Sequence, residues 1–206
     1  MKLYMAPFAP NPRRVAMFLA EKGVNDIPIE ILDLPGGAHR SAEFRAKSPL
    51  SQVPTLELDD GQCLTESRAI CTYLEALYPE PNLMGRDGKE RAFLEMWDRR
   101  VELAFAMPLM MWVRHGHPGL AAIETRQSAD VASFYEGGAK RMAVWLDQHL
   151  ASRAWIAGEN FSIADITAAA GMDFAKMMKW RPDEQTPHLK AWRERIAARP
   201  AGQAGP

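Results

Sequence analysis

The hydrophobic pattern of this chain changes its period once, at Tyr78-Pro79-Glu80-Pro81-Asn82. Before that point strand-like and helix-like spacings alternate, and after it only the helical spacing recurs. Two prolines so close together stop a helix and stiffen the backbone, which marks the segment as a linker. A chain patterned this way folds as a small α/β unit followed by an all-helical one. Its 206 residues suffice for each part to bury a core. We therefore expect an N-terminal domain at 1–78, a linker at 79–88 and a helical domain at 89–206.

Within the first part, Lys2 to Met5 reads as a strand. Arg13 to Lys22 reads as a helix, with Val15, Phe18 and Leu19 on one face and Gly23 as its stop. The β-branched alternation of Ile27 to Leu32 predicts a second strand, so the three elements form a β-α-β unit with a parallel pair. Thr55 to Leu58 and Gln62 to Leu64 flank Asp59-Asp60-Gly61, a turn whose Asp-Gly step suits positive φ, and this predicts a hairpin. A helix over Ser67 to Leu77 closes the unit. Beyond the linker, helices are expected over Lys89 to Arg114, bent or broken at Pro108, and over Glu124 to Leu150, Ile163 to Lys179 and His188 to Ala198. Ser162 and Asp165 have the spacing of a capping box, with Phe161 and Ile166 placed to staple it, which is a folding signal and not chemistry.

Charge and composition exclude several classes. The formal net charge is -1, from 25 basic and 26 acidic residues that are interspersed, so there is no electrostatic footprint for nucleic acid or an anionic membrane. The longest apolar run, Leu103 to Val113, contains Pro108 and is too short to span a bilayer. Met1-Lys2-Leu3-Tyr4-Met5 lacks the apolar core and cleavage site of a signal peptide, and a cytoplasmic protein is expected. Cys63 and Cys71 are too few for a disulfide framework, and Cys71 shares an apolar helix face with Ile70 and Leu74. His115 and His117 sit in a Gly-Pro loop without carboxylates or cysteines, so no metal is expected.

Two short stretches offer chemistry. Val53-Pro54 opens a strand after a loop. A cis bond there would turn the Val53 N–H and C=O outward, where an extended peptide can pair with them; a trans proline at a strand edge is the alternative. In Thr65-Glu66-Ser67-Arg68 a strand turns tightly into a helix. Ser67 and the free amides of that helix start suit a carboxylate, and Glu66 suits an ammonium. Together these describe the end of an amino acid, although a plain serine cap beside a dipole-friendly glutamate fits the same residues.

The combination resembles the glutathione S-transferase family. The resemblance is carried by Val53-Pro54, then "ELDDG", "LTESRAICTYLEALYP" and "GENFSIADI", in order and spacing from Leu3 to about Pro200. Within that family, "YMAPFAPNPRRVAMFLAEKG" and "RHGHPGL" resemble a bacterial and fungal branch whose first loop lacks the usual catalytic side chain. The resemblance implies a thioredoxin-like N-terminal domain, an all-helical C-terminal domain, glutathione as cosubstrate and a homodimer. It also implies that the γ-glutamyl end sits on Glu66 and Ser67, and that the cysteinyl backbone pairs with Val53 beside cis-Pro54. The glycine carboxylate would meet His39, with Arg40 in reserve and Gln52 as a further contact.

The family usually places a Ser, Tyr or Cys in the first loop. Here the matching position is Ala9, which cannot donate. The expected substitute is the start of the first helix, with Asn11 as the nearest polar side chain and the Arg13 and Arg14 amides nearby; Asn11 as a mere helix cap is the competing reading. The electrophile is expected between the domains, against a helix carrying Leu103, Phe105, Met107, Met110, Met111 and Trp112, about half of which the periodicity assigns to the core. The expected function is conjugation of the glutathione thiolate to hydrophobic electrophiles. The alternatives are a non-catalytic binding or regulatory protein of the same fold, and a glutathione-dependent peroxidase or dehalogenase.

Overall fold

In a computed structural model, which describes residues 1–205, β1 (Lys2–Met5), α1 (Pro10–Lys22) and β2 (Ile29–Ile31) form the expected β-α-β unit. β3 (Thr55–Glu57) and β4 (Cys63–Leu64) complete a sheet of order β2-β1-β3-β4, in which β1 and β2 are parallel and the other neighbours antiparallel. The Asp-Gly turn closes the hairpin, with Gly61 at φ 83. Leu3, Met5 and Leu56 bury one sheet face in a core shared with Val15 and Phe18 of α1 and with Ile70 and Leu74 of α3 (Ser67–Leu77). The opposite face holds Tyr4 and Leu32 against Phe44 of α2 (Ala42–Lys47). Sequence periodicity gave no sign of α2, a six-residue helix whose start is capped by Ser41 Oγ accepting the Phe44 N–H at 3.1 Å. β2 is shorter than expected, and Ile29 and Ile31 are half exposed because it is an edge strand.

The second part contains α4 (Gly88–Val101), α5 (Met107–Gly116), α6 (Ala129–Leu150), α7 (Ile163–Ala175), α8 (Pro187–Ala197) and the short α9 (Pro200–Gln203). The interruption expected at Pro108 lies one turn earlier, as a π-helical segment at Glu102–Ala106. Pro108 has no N–H to give the Ala104 carbonyl, and the widened turn accommodates the missing bond. α6 starts at Ala129 and not at Glu124, because Ser128 caps the Val131 N–H at 3.4 Å and Pro118–Leu120 form a 3-10 turn. α7 ends at Ala175, and a 3-10 turn carries the chain to Lys179 at φ 56.

α7 is buried along nearly its whole length, which its run of alanines and Gly171 permits. A Cβ on Gly171 would lie 2.8 Å from the Ala106 Cα, so α7 seats directly on the π segment. Asp165 anchors the start of α7. One carboxylate oxygen accepts the Ser162 N–H at 3.0 Å, and the other accepts the Ile156 N–H at 3.0 Å and the Trp192 indole N–H at 2.8 Å. Burial pushes this carboxyl up to about 6.

α1 is tied to both parts. Lys22 Nζ lies 2.6 Å from Glu75 and donates to the Pro81 carbonyl at 2.6 Å, and Glu75 in turn accepts from Asn82 and Leu83, fixing the linker. Arg13 pairs with Asp173 of α7 at 3.1 Å, and Glu21 holds Arg199 at 2.7 Å. Cys71 is fully buried and its thiol is pushed up to about 12 by burial. Among the described residues no helix is long and apolar enough to cross a membrane.

Candidate active site

Sheet register brings the two candidate stretches together. Tyr4 pairs with Thr55 and Leu56 with Leu64, both antiparallel. Continuing each ladder past its last pair sets Val53 opposite Ala6 and Glu66 opposite Pro54. The first loop, the Val53-Pro54 step and the start of α3 therefore share one end of the sheet. The Val53–Pro54 peptide is cis. Neither the N–H nor the C=O of Val53 has a hydrogen-bond partner among the described residues.

At the first loop, Phe8 adopts φ 62 and Ala9 is the N-cap of α1, with Pro10 as the first helical residue. The helix begins three residues before the expected Arg13, since proline suits a first turn where no N–H is needed. Asn11 is thus inside the helix and does not cap it. The Arg13 N–H is taken by the Ala9 carbonyl at 3.0 Å, and that of Arg14 continues the regular ladder, which removes both from the expected donor set. Pro10 and Pro12 have no N–H. Asn11 therefore supplies the one uncommitted backbone amide of this helix start, together with its carboxamide.

At the start of α3, Glu66 occupies φ 64, a backbone conformation that costs on the order of 1–3 kcal/mol for a residue with a side chain. The Ile70 N–H returns to the Glu66 carbonyl at 3.0 Å, so the amides of Ser67, Arg68 and Ala69 precede the first helical bond. Ser67 is the first helical residue and not the cap. Its hydroxyl oxygen accepts from Arg14 Nη1 at 2.9 Å, while Arg14 Nη2 donates to Glu102 Oε1 at 2.8 Å. Glu102 also contacts Arg99, and Arg68 holds the buried Asp98, which accepts from Thr167. Arg14 is only 3% exposed, and burial pulls its guanidinium below the usual value. Sequence reasoning used Arg14 only for its amide. The signal was present: Arg14 precedes Val15 on the apolar face of α1, and a charged residue at such a position requires a partner.

Asn11, Glu66 and Ser67 line one cleft of about 1170 Å³ between the sheet domain and α4–α5. Its far wall includes Leu103, Met107 and Met110, whereas Phe105 and Trp112 are buried in the core. His39, Gln52, Val53 and Pro54 do not line this cleft. Gln52 turns its side chain to solvent and exchanges main-chain hydrogen bonds with Ser48 Oγ at 3.0 and 3.1 Å. His39 is buried in a 3-10 turn with Nδ1 unpartnered, and burial, then the Arg40 charge, lowers its pKa. Both effects disfavour its cationic form. His117 Nδ1 accepts the Gly119 N–H at 3.1 Å, and no cluster of three potential metal ligands occurs among the described residues.

Comparison with known proteins decides the lineage. Residues 3–82 match the model for a glutathione S-transferase N-terminal domain, and residues 103–200 match that for the C-terminal domain. The chain belongs to the glutathione S-transferase family. Glutathione S-transferase 2 of Saccharomyces cerevisiae is 35% identical over 203 residues, covering 98% of this chain and 87% of that protein. Glutathione S-transferase 3 of Zea mays is 34% identical, covering 98% and 91%. Among solved structures, a glutathione S-transferase domain-containing protein of Marinobacter aquaeolei VT8 superposes with a TM-score of 0.92 at 40% identity, covering 98% of this chain and 99% of that one. Like its relatives, this glutathione S-transferase is a transferase with a thioredoxin-like domain followed by a helical one, and glutathione is its cosubstrate.

Proposed function

We propose that this transferase conjugates the glutathione thiolate to hydrophobic electrophiles. The carrying observation is the convergence of two helix starts, at Asn11 and at Ser67, on a cleft whose opposite wall sets Leu103, Met107 and Met110 beside the charged Arg99 and Glu102. Helix starts favour anions, and glutathione offers a carboxylate at one end and a thiolate in the middle. In this reading Ser67 and the α3 amides take the γ-glutamyl carboxylate and Glu66 its ammonium. The unpaired Val53 backbone beside Pro54 takes the cysteinyl backbone. His39, as a neutral donor, and Gln52 complete the glycine end. The thiolate meets the Asn11 carboxamide and N–H, and the electrophile rests on Leu103, Met107 and Met110, whose methionines adapt to varied shapes.

We further propose domains at 1–78 and 89–206 joined by a linker at 79–88, and a metal-free cytoplasmic homodimer with a role in detoxification. One observation favours a second reading, binding without catalysis: Ala9 caps α1 with no hydroxyl. Retention on immobilised glutathione with turnover of chlorodinitrobenzene supports the enzyme. Retention without turnover of any electrophile or peroxide supports the second reading, and no retention by a folded protein refutes both.

A further inference from the structure

We propose that Arg14 is a positioning residue for carboxylate recognition, and that Glu102 of the helical domain holds it in place. The proposal deepens the glutathione reading above and rests on it. A guanidinium can only donate, so in the 2.9 Å contact between Arg14 Nη1 and Ser67 Oγ the serine oxygen is the acceptor. The single hydroxyl proton of Ser67 is then left for another acceptor. Ser67 is 4% exposed, lines the cleft and stands at the start of α3, whose free amides and dipole favour an anion as the acceptor of that proton. Arg14 thus converts a hydroxyl that can accept or donate into a committed donor, backed by a positive charge.

The seat of Arg14 comes from the other domain. Glu102 lies at the first position of the π segment, its Oε1 2.8 Å from Arg14 Nη2, while its Oε2 faces Arg99 as an ion pair and accepts no hydrogen bond among the described residues. Arg14 Nε is buried without a partner among the described residues, which leaves one donor of this cleft-lining side chain uncommitted. Carboxylate affinity in the sheet domain is therefore coupled to the geometry of a widened helical turn in the second domain.

The test is calorimetric binding of two peptides to the full-length protein: glutathione, and γ-aminobutyryl-cysteinyl-glycine, which lacks only the γ-glutamyl α-carboxylate. Wild type should prefer glutathione, and Arg14→Met should reduce that preference by roughly tenfold or more, the usual effect of losing a hydrogen bond to a charged group. Arg14→Lys should restore part of it, and Glu102→Gln should lower it to a smaller degree. At saturating glutathione kcat of the Lys variant should stay near wild type, so that the loss falls on KM for glutathione. Adding Arg14→Met to Ser67→Ala should change affinity little, because the two act as a unit. Equal weakening of both peptides, or an undiminished preference in folded Arg14 and Glu102 variants, would overturn the proposal alone. Failure of wild type to bind glutathione would overturn the functional reading and the proposal with it.

Discussion

Asn11 can be perturbed in two steps that separate its side chain from its backbone. A free thiol titrates at about 8.5, and each unit of depression requires about 1.4 kcal/mol of preference for the thiolate. The start of α1 provides one uncommitted N–H and one carboxamide, both from Asn11, because Pro10 and Pro12 have no N–H and Arg13 donates to Ala9. A hydrogen bond to a charged group contributes about 1.5–3 kcal/mol and a helix dipole about 0.3–1 kcal/mol. In the proposed pose, two such bonds and the dipole, taken at the low end of these ranges, come to about 3 kcal/mol, a depression of roughly two units or more from the free thiol. Asn11→Ala removes the carboxamide and keeps the N–H, so the bound thiol should rise by about one unit. Asn11→Pro removes both, in a first turn where proline is tolerated, and should bring the thiol to within about one unit of the free value, the dipole remaining. The assay is a thiolate absorbance titration of the binary complex, with circular dichroism to verify the fold. If Asn11→Pro folds, binds glutathione and leaves the thiol at its wild-type pKa, the start of α1 does not activate it.

Three further perturbations test the scaffold. Asp165→Asn would set an NH2 group against the buried donors from Ile156, Ser162 and Trp192, and should destabilise the fold by about 3 kcal/mol or more, read as a lower urea midpoint; a loss under about 1 kcal/mol would contradict that role. Gly171→Ala forces a Cβ to within 2.8 Å of the Ala106 Cα, and overpacking of this kind costs about 1–3 kcal/mol, several degrees in Tm for a chain this size. An unchanged Tm would mean that α7 shifts freely on the π segment. His149 packs against Trp97 and Trp145 with Nε2 2.8 Å from the Ile156 carbonyl, and burial lowers its pKa. The unfolded chain then binds this proton more readily, so its contribution is complete above about pH 6.5 and is lost as the pH falls through the lower native value. His149→Gln should flatten the acid limb of stability against pH, and an unaltered limb would remove His149 as its source.

What the sequence revealed divides by range. The Asp-Gly hairpin, the α3 helix and the Ser162–Asp165 box are specified by neighbours within a few residues, and each lies where its local pattern puts it. α1 begins ahead of the expected Arg13 because, at a first turn, the two amides missing at Pro10 and Pro12 have no effect on the helical ladder. The π segment followed from a proline whose consequence falls on the carbonyl four residues earlier. The Arg14–Glu102 bridge spans 88 positions, and no local pattern encodes its partner, although a charge on an apolar helix face announced that one was needed. The candidate residues Asn11, Glu66 and Ser67 meet in one cleft, while His39, Gln52, Val53 and Pro54 belong to loops beside it.

The most direct measurement is a crystal structure with glutathione bound. Expected is the γ-glutamyl carboxylate within hydrogen-bond reach of Ser67, the cysteinyl backbone paired with Val53, and the sulfur within reach of the Asn11 carboxamide or N–H. Glutathione bound elsewhere, or a sulfur held by a side chain outside the start of α1, would contradict the proposed activation of the thiol.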